Sequence, residues 1–253
     1  MINLINKTAV VTGGGQGIGL GISQALLSAG AKVAVVQRSP IPAELETNPN
    51  ACWIQADLAE SDSFDKVAAE LGKLFDCLHV LVNNAGVMFE KTLDDMNLQD
   101  WQSMLAINLT APVFLSKKLL PLMREAGAAS IIHIGSIEGI AANPEHVAYC
   151  SSKAAVHGLA RAMAVDLGKD NIRVNAIAPG WIRSALSDDY INAQDNAQQA
   201  WQDLFALHPA GRIGEPGDVG NLAAFLASEN AAFVTGQVFV IDGGRTSKLP
   251  LPF

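Results

Sequence analysis

The chain is poor in cysteine, poor in positive charge, and has no long unbroken hydrophobic run. Cys52, Cys77 and Cys150 are its 3 cysteines, widely spaced and without a Cys-x-x-Cys pair or a histidine partner. That argues against a disulfide framework or a zinc site, and predicts reduced thiols in a cytoplasmic protein. Lysine and arginine number 17 against 25 acidic residues, for a net charge of −8. The basic residues are scattered, with no run beyond Lys117-Lys118, which disfavours nucleic acid or an anionic membrane surface as main partner. No apolar stretch reaches the ~18–20 uninterrupted residues of a membrane span. The opening Met1–Lys7 enters a strand almost at once, leaving no room for a signal peptide. Repeats, low-complexity tracts and linkers are lacking as well, so one domain is expected.

What the chain does contain is a regular alternation. Short apolar runs at Thr8–Thr12, Lys32–Gln37, Cys52–Ala56, Leu78–Val82, Ser130–Gly135, Ile172–Ala176 and Gln237–Ile241 read as strands. Most are continuously apolar, as strands buried on both faces should be. Helical patterns lie between them, near 17–29, 62–75, 97–126, 148–168 and 217–228. This order predicts an α/β fold, a doubly wound parallel sheet of about seven strands with helices on both faces. At 49% hydrophobic the chain can bury a large core. The stretch 183–214, rich in Asn, Gln, Asp and Ala, is the one long insertion. It is expected to be a lid or binding loop, with a plain surface helix pair as the alternative.

Two motifs carry chemistry. The first strand ends in Thr12-Gly13-Gly14-Gly15-Gln16-Gly17-Ile18-Gly19, directly before a helix. Glycines there let the backbone turn sharply and bring a pyrophosphate to the helix N-terminus, whose free N–H groups favour anions. The second is Tyr149-Cys150-Ser151-Ser152-Lys153. Residues four apart share a helix face, and an ammonium beside a phenol favours the phenolate. Such a pair is a tuned acid/base for an alcohol oxygen.

The glycine spacing together with Tyr149-x-x-x-Lys153 resembles the single-domain branch of the short-chain dehydrogenase/reductase family, over about residues 7 to 245. The resemblance implies a Rossmann-type fold, an NAD(P) cofactor and a small alcohol or ketone substrate. It also implies further site residues. Asp57, with Leu58 beside it, follows the third strand where the family's aspartate meets adenine. Asn83-Asn84-Ala85-Gly86 matches a signature that supports the sheet and lines the cofactor cleft. Asn108 matches the family's helix asparagine, Ser136 its catalytic serine, and Pro179-Gly180 the turn abutting the nicotinamide. Ile182 follows that turn, and Ser184 offers the hydroxyl that relatives supply with threonine to the carboxamide. His208–Gly214, Val234–Val238 and Asp242-Gly243-Gly244 follow the family too, and a homotetramer is implied.

The end of the second strand chooses the nucleotide. An acidic residue there accepts ribose hydroxyls and repels a 2′-phosphate, whereas a nearby arginine accommodates it. This chain has Gln37-Arg38-Ser39, which predicts NADP(H) as preferred and leaves NAD(H) as the alternative.

In the chemistry implied by the family, Tyr149 protonates or deprotonates the substrate oxygen and Ser136 hydrogen-bonds it. Lys153 lowers the pKa of Tyr149 and holds the nicotinamide ribose, and Asn108 positions a water that relays protons. No metal is implied. Substrate-shaping candidates are Ile137, Glu138, Asn143, His146 and Trp181, with Met88 and Leu186 as apolar walls. Glu138 would recognise a hydroxyl or a cation, or simply face water. His146 reads as a loop residue before a proton donor. The expected function is an NADP-preferring interconversion of a secondary alcohol and a ketone. The alternatives are an NAD-dependent dehydrogenase of a hydroxylated small molecule or sugar, and a nucleotide-sensing regulator without catalysis. Phe253, at the end of a proline-broken tail, is either frayed or packs on a neighbouring subunit.

Overall fold

The computed structural model describes residues 2–248, with the side chain of Leu186 outside the description. The tail 249–253, including Phe253, lies outside it too. Seven strands form one sheet: β1 (Thr8–Thr12), β2 (Lys32–Gln37), β3 (Ala51–Gln55), β4 (Val80–Asn83), β5 (Ala129–Ile134), β6 (Ile172–Pro179) and β7 (Val238–Ile241). Their order is β3-β2-β1-β4-β5-β6-β7, and every pairing is parallel. The order reverses direction between β1 and β4, so the carboxyl ends of those two strands open a crevice.

Alternation along each strand splits the apolar residues between two layers. Val10, Ala34, Leu81 and Ile131 point to a layer formed by α3 (Ser63–Leu74), α5 (Ala111–Glu125) and α6 (Val147–Leu167). Val11, Val35, Val82 and Ile132 point to the opposite layer, formed by α1 (Gly17–Ser28) and α9 (Pro216–Ala227), with the short α2 (Ala43–Glu46) at its margin. The central strands therefore read as continuously apolar because both of their faces are covered, whereas the edge strands β3 and β7 keep exposed residues.

Helices α1 and α9 approach so closely that a Cβ on Gly220 would strike the carbonyl of Gly21. A side chain there must push the two helices apart. We expect Gly220→Val to destabilise the fold by about 1–3 kcal/mol, the usual cost of overpacking. Urea unfolding measures it, and an unchanged midpoint would contradict this reading of the contact.

The expected helix over 97–126 is present but interrupted. It runs as α4 (Leu98–Leu105), a widened π turn over Ala106–Thr110, and α5. By length and composition the combined Leu98–Glu125 helix is long and apolar enough to cross a membrane; here it lies on the sheet, against α3 and α6. The insertion 183–214 folds into α7 (Ala185–Asn192) and α8 (Ala197–Ala206), which share a small core of Ile191, Leu204 and Ile213. Its base is clasped where Arg183 N–H donates to the Gly214 carbonyl.

Candidate active site

The glycine loop is held open from two sides. Gly13 and Gly17 have φ of +63° and +49°, values that side chains resist. A Cβ on Gly19 would overlap the Gly13 carbonyl. Thr12 and Asn84 form the hinge with β4. The Thr12 hydroxyl accepts the N–H groups of Asn84 and Ala85, both at 2.9 Å, and the Asn84 amide donates to the carbonyls of Thr12 and Gly13. Thr12 is a site-building residue that the sequence reading passed over, although it opens the glycine motif. Gln16 stands at the N-cap of α1 without capping it. No side chain therefore competes for the first amides of α1, those of Gly17, Ile18 and Gly19. Bare amides above glycines form a cradle that fits a pyrophosphate. Ile18 meanwhile packs into the α1–α9 layer.

At the end of β2, Gln37 is fully engaged. Its Oε1 accepts the Gly15 N–H at 2.8 Å, and its Nε2 donates to the carbonyls of Ser39 and Pro40 at 2.9 and 3.1 Å. Arg38 reaches Asp57 at 3.6 Å, but 70% of its side chain is exposed. Exposed pairs of that kind hold little energy, so Arg38 stays available to an anion. Leu58 is buried in the core beneath Asp57.

Tyr149, Lys153 and Ser136 converge at the carboxyl end of β5. Tyr149 sits in the first turn of α6, half-buried. Lys153 is buried one turn later, and its Nζ donates to the Ile134 carbonyl at 2.9 Å. The ammonium lies 5.6 Å from the centroid of the Tyr149 ring. Ser136 faces the phenol, and its Oγ also accepts the Glu138 N–H at 3.1 Å, capping a short 3-10 turn. The expectation that Lys153 lowers the pKa of Tyr149 needs correction. Burial pushes the phenol up to about 12, the charges of Glu138 and Cys150 add to that, and the Ser136 hydrogen bond only partly opposes them. Burial also brings Lys153 down to about 8. For both groups desolvation is the largest cause.

Asn108 occupies the π turn, and its amide is taken by protein partners. Oδ1 accepts the Val87 N–H at 2.8 Å; Nδ2 donates to the Val87 carbonyl at 2.9 Å and the Ser152 hydroxyl at 3.1 Å. Its side chain thus ties the segment after Gly86 to α6. Gly86 lies beside it, where a Cβ would come within 3.2 Å of Asn108 Oδ1 and 3.5 Å of Lys153 Nζ. Asn83 supports the same strand end through Ser116 and the buried His133.

Beyond Ser136 the substrate candidates separate. Glu138 does not simply face water: its Oε2 lies 2.6 Å from His146 Nδ1 and 3.5 Å from Cys150 Sγ. On its other side His146 Nε2 is 3.7 Å from Glu90. His146 is therefore a buried link between two carboxylates rather than a plain loop residue. Asn143 is exposed on the rim beside Ile137, and Met88 is exposed as well. Trp181 lies on the other wall, packed against the α7–α8 core, with its indole N–H buried and without a protein acceptor among the described residues. Pro179 ends β6, and the Gly180 N–H donates to the Ile241 carbonyl. Ile182 is buried in the α1–α9 layer. The Ser184 hydroxyl caps α7, accepting the Ser187 N–H at 3.1 Å, and its Cβ faces Gly17.

The arrangement pairs an anion cradle at β1 with a proton-handling cluster at β5, across the β1–β4 crevice. Known proteins are similar to the chain as a whole. Residues 13–246 match the family described as enoyl-(acyl carrier protein) reductase. The chain is 35% identical to a 3-alpha-(or 20-beta)-hydroxysteroid dehydrogenase of Mycobacterium tuberculosis, covering 97% of this chain and 92% of that one. It is 34% identical to an NADP-dependent (R)-specific alcohol dehydrogenase of Lentilactobacillus kefiri, covering 97% and 98%. A Pseudomonas aeruginosa RhlG/NADP active-site complex superposes with a TM-score of 0.87 at 36% identity, covering 96% and 98%. With the fold, the loop and these likenesses in agreement, the chain belongs to the short-chain dehydrogenase/reductase family and is an NAD(P)-dependent oxidoreductase acting on CH–OH groups.

Proposed function

We propose that this protein interconverts a secondary alcohol and a ketone with NADP(H) as preferred cofactor, and that Tyr149 handles the proton. The observation that carries the reading is a neutral phenol facing Ser136, one helical turn from a buried lysine anchored on the Ile134 carbonyl. The nicotinamide cofactor, when bound, supplies or accepts the hydride. In the reductive direction Tyr149 donates its proton to the carbonyl oxygen and Ser136 hydrogen-bonds the same oxygen as negative charge develops there. A phenol with a pKa of about 12 remains protonated at neutral pH, which suits it to be a donor. Lys153 places its positive charge behind the phenol. Asn108 acts as a positioning residue that ties the segment after Gly86 to α6. The α7–α8 pair, clasped at its base, serves as the cover of the substrate side.

For the nucleotide, the reading rests on the missing carboxylate at the end of β2 and the exposed guanidinium of Arg38. Steady-state reduction of a panel of ketones with NADPH and NADH tests both parts. We expect kcat/KM at least tenfold higher with NADPH, and Gln37→Asp to reverse the preference through like-charge repulsion of the 2′-phosphate. Equal or better use of NADH by the unaltered protein would overturn the nucleotide assignment. No reduction of any ketone, with the cofactor bound, would favour the regulatory alternative.

The same reading places the protein in the cytoplasm as a homotetramer. Its three cysteines are free, and Phe233, Val165 and Val240 expose apolar surface. Sedimentation of the purified protein tests the assembly.

A further inference from the structure

A cavity of about 290 Å³ lies between the segment 137–143, which follows Ser136, and the turn after β7 that carries Arg245, Thr246 and Lys248. Its walls are fixed independently. On one wall, Glu138 is held by His146. On the other, Asp242 organises the turn: Oδ1 accepts the Gly244 N–H at 2.9 Å, and Oδ2 accepts both the N–H and the hydroxyl of Thr246 at 2.7 Å. Asp242 is thereby occupied, and Lys248 donates to the Ala206 carbonyl at the end of α8. Arg245 is left over. It is half-buried, lines the cavity, and among the described residues its guanidinium meets no carboxylate and makes no hydrogen bond. Nor does it reach Glu138 across the cavity. An uncompensated guanidinium presents a planar fork of donors that matches a carboxylate.

We propose that this cavity is the distal half of the substrate site and that Arg245 binds a carboxylate on the substrate, making the natural substrate a hydroxy acid or oxo acid. The proposal rests on the oxidoreductase reading of Ser136 and Tyr149, since the cavity begins at the two residues after Ser136. The reacting carbon sits at Ser136 and the carboxylate at the far end, with Asn143 and Thr246 along the way. The free oxygen of Glu138 turns an approaching carboxylate toward Arg245 by repulsion.

The test compares acetoacetate, levulinate and 5-oxohexanoate with their methyl esters in reduction by NADPH. Moving the carboxylate away from the ketone by one carbon at a time locates the anion site. At least one acid should exceed its ester in kcat/KM by about 10- to 100-fold, the range for a hydrogen bond to a charged group. Arg245→Gln should collapse that ratio toward one, with the loss in the KM of the acid, and Arg245→Lys should keep part of it. Equilibrium binding of the same acids to protein loaded with oxidised cofactor, where no reduction occurs, should show the same Arg245 dependence. Acids that neither react nor bind better than esters overturn the proposal, as does an acid-to-ester ratio unmoved by Arg245→Gln. Esters reduced without any acid preference leave the reductase reading standing and remove the anion site. Arg245-dependent binding without reduction of any ketone does the reverse.

Discussion

Tyr149→Phe is expected to lower turnover by about 10²–10⁴-fold, the contribution of a positioned proton donor, while cofactor affinity and fold stay as they are. The phenyl ring fills the same space in the first turn of α6, so only the hydroxyl facing Ser136 is lost. Burial already holds that hydroxyl neutral, with a pKa of about 12, so its removal takes away a donor and no charge. The charge pattern of the cleft is unchanged, and so is the glycine cradle at β1. Stopped-flow or steady-state reduction gives the turnover, and quenching of tryptophan fluorescence by NADPH gives the affinity. Turnover within tenfold of the unaltered protein would remove Tyr149 from its role. A parallel loss of cofactor binding would show that the residue supports the cleft instead.

Lys153→Met should abolish most turnover and alter the pH dependence of stability in a defined direction. Lys153 is buried, and its pKa falls from 10.5 to about 8 on folding. Between those values the unfolded chain holds more protons than the folded one, so stability attributable to this residue rises with pH. Below pH 8 the folded protein carries a buried ammonium at a cost of about 3 kcal/mol, at about 1.4 kcal/mol per pKa unit. Methionine removes the charge and the slope. It also leaves the Ile134 carbonyl without its donor, which costs about 1–3 kcal/mol. The two effects nearly offset at pH 7. From pH 8 to 10 the unaltered protein should gain on the variant by about 1.4 kcal/mol per unit. Urea unfolding at each pH measures the difference, and parallel curves would contradict the burial of the charge. Reduction should decline as pH rises past about 8, where Lys153 loses its proton.

Much of this molecule was legible in order and spacing. Strands buried on both faces write themselves as apolar runs, and all seven appear within a few residues of where the runs predict them. The glycine loop sits at the β1–α1 junction, and Tyr149 and Lys153 lie one turn apart on α6, because helix geometry fixes that relation locally. What spacing does not encode is who else arrives. Val87 and Ser152, far from Asn108 in sequence, take its side-chain amide in the structure. The Ser184 hydroxyl caps α7 by accepting the Ser187 N–H. His146, clamped to Glu138, also meets Glu90, which the chain pattern around residue 138 cannot announce.

The direction of the Tyr149 shift marks the boundary most clearly. A phenol four residues before a lysine predicts attraction and a lowered pKa, because sequence shows the pair and nothing of the solvent. Desolvation depends on every neighbour that excludes water, and among those of Tyr149 are Ser136 and Glu138 from the segment after β5 and His146 at the start of α6. Sequence by itself pointed to the doubly wound sheet through local periodicity, and to the family, the cofactor loop and the candidate proton-handling residues through motifs that resemble that family's. Tertiary structure decided the direction of the Tyr149 and Lys153 shifts, the partners of Asn108, and the placement of Arg245 on the cavity beyond Ser136, where among the described residues it meets no carboxylate. Burial and charge compensation are sums over segments that meet only when the chain has folded.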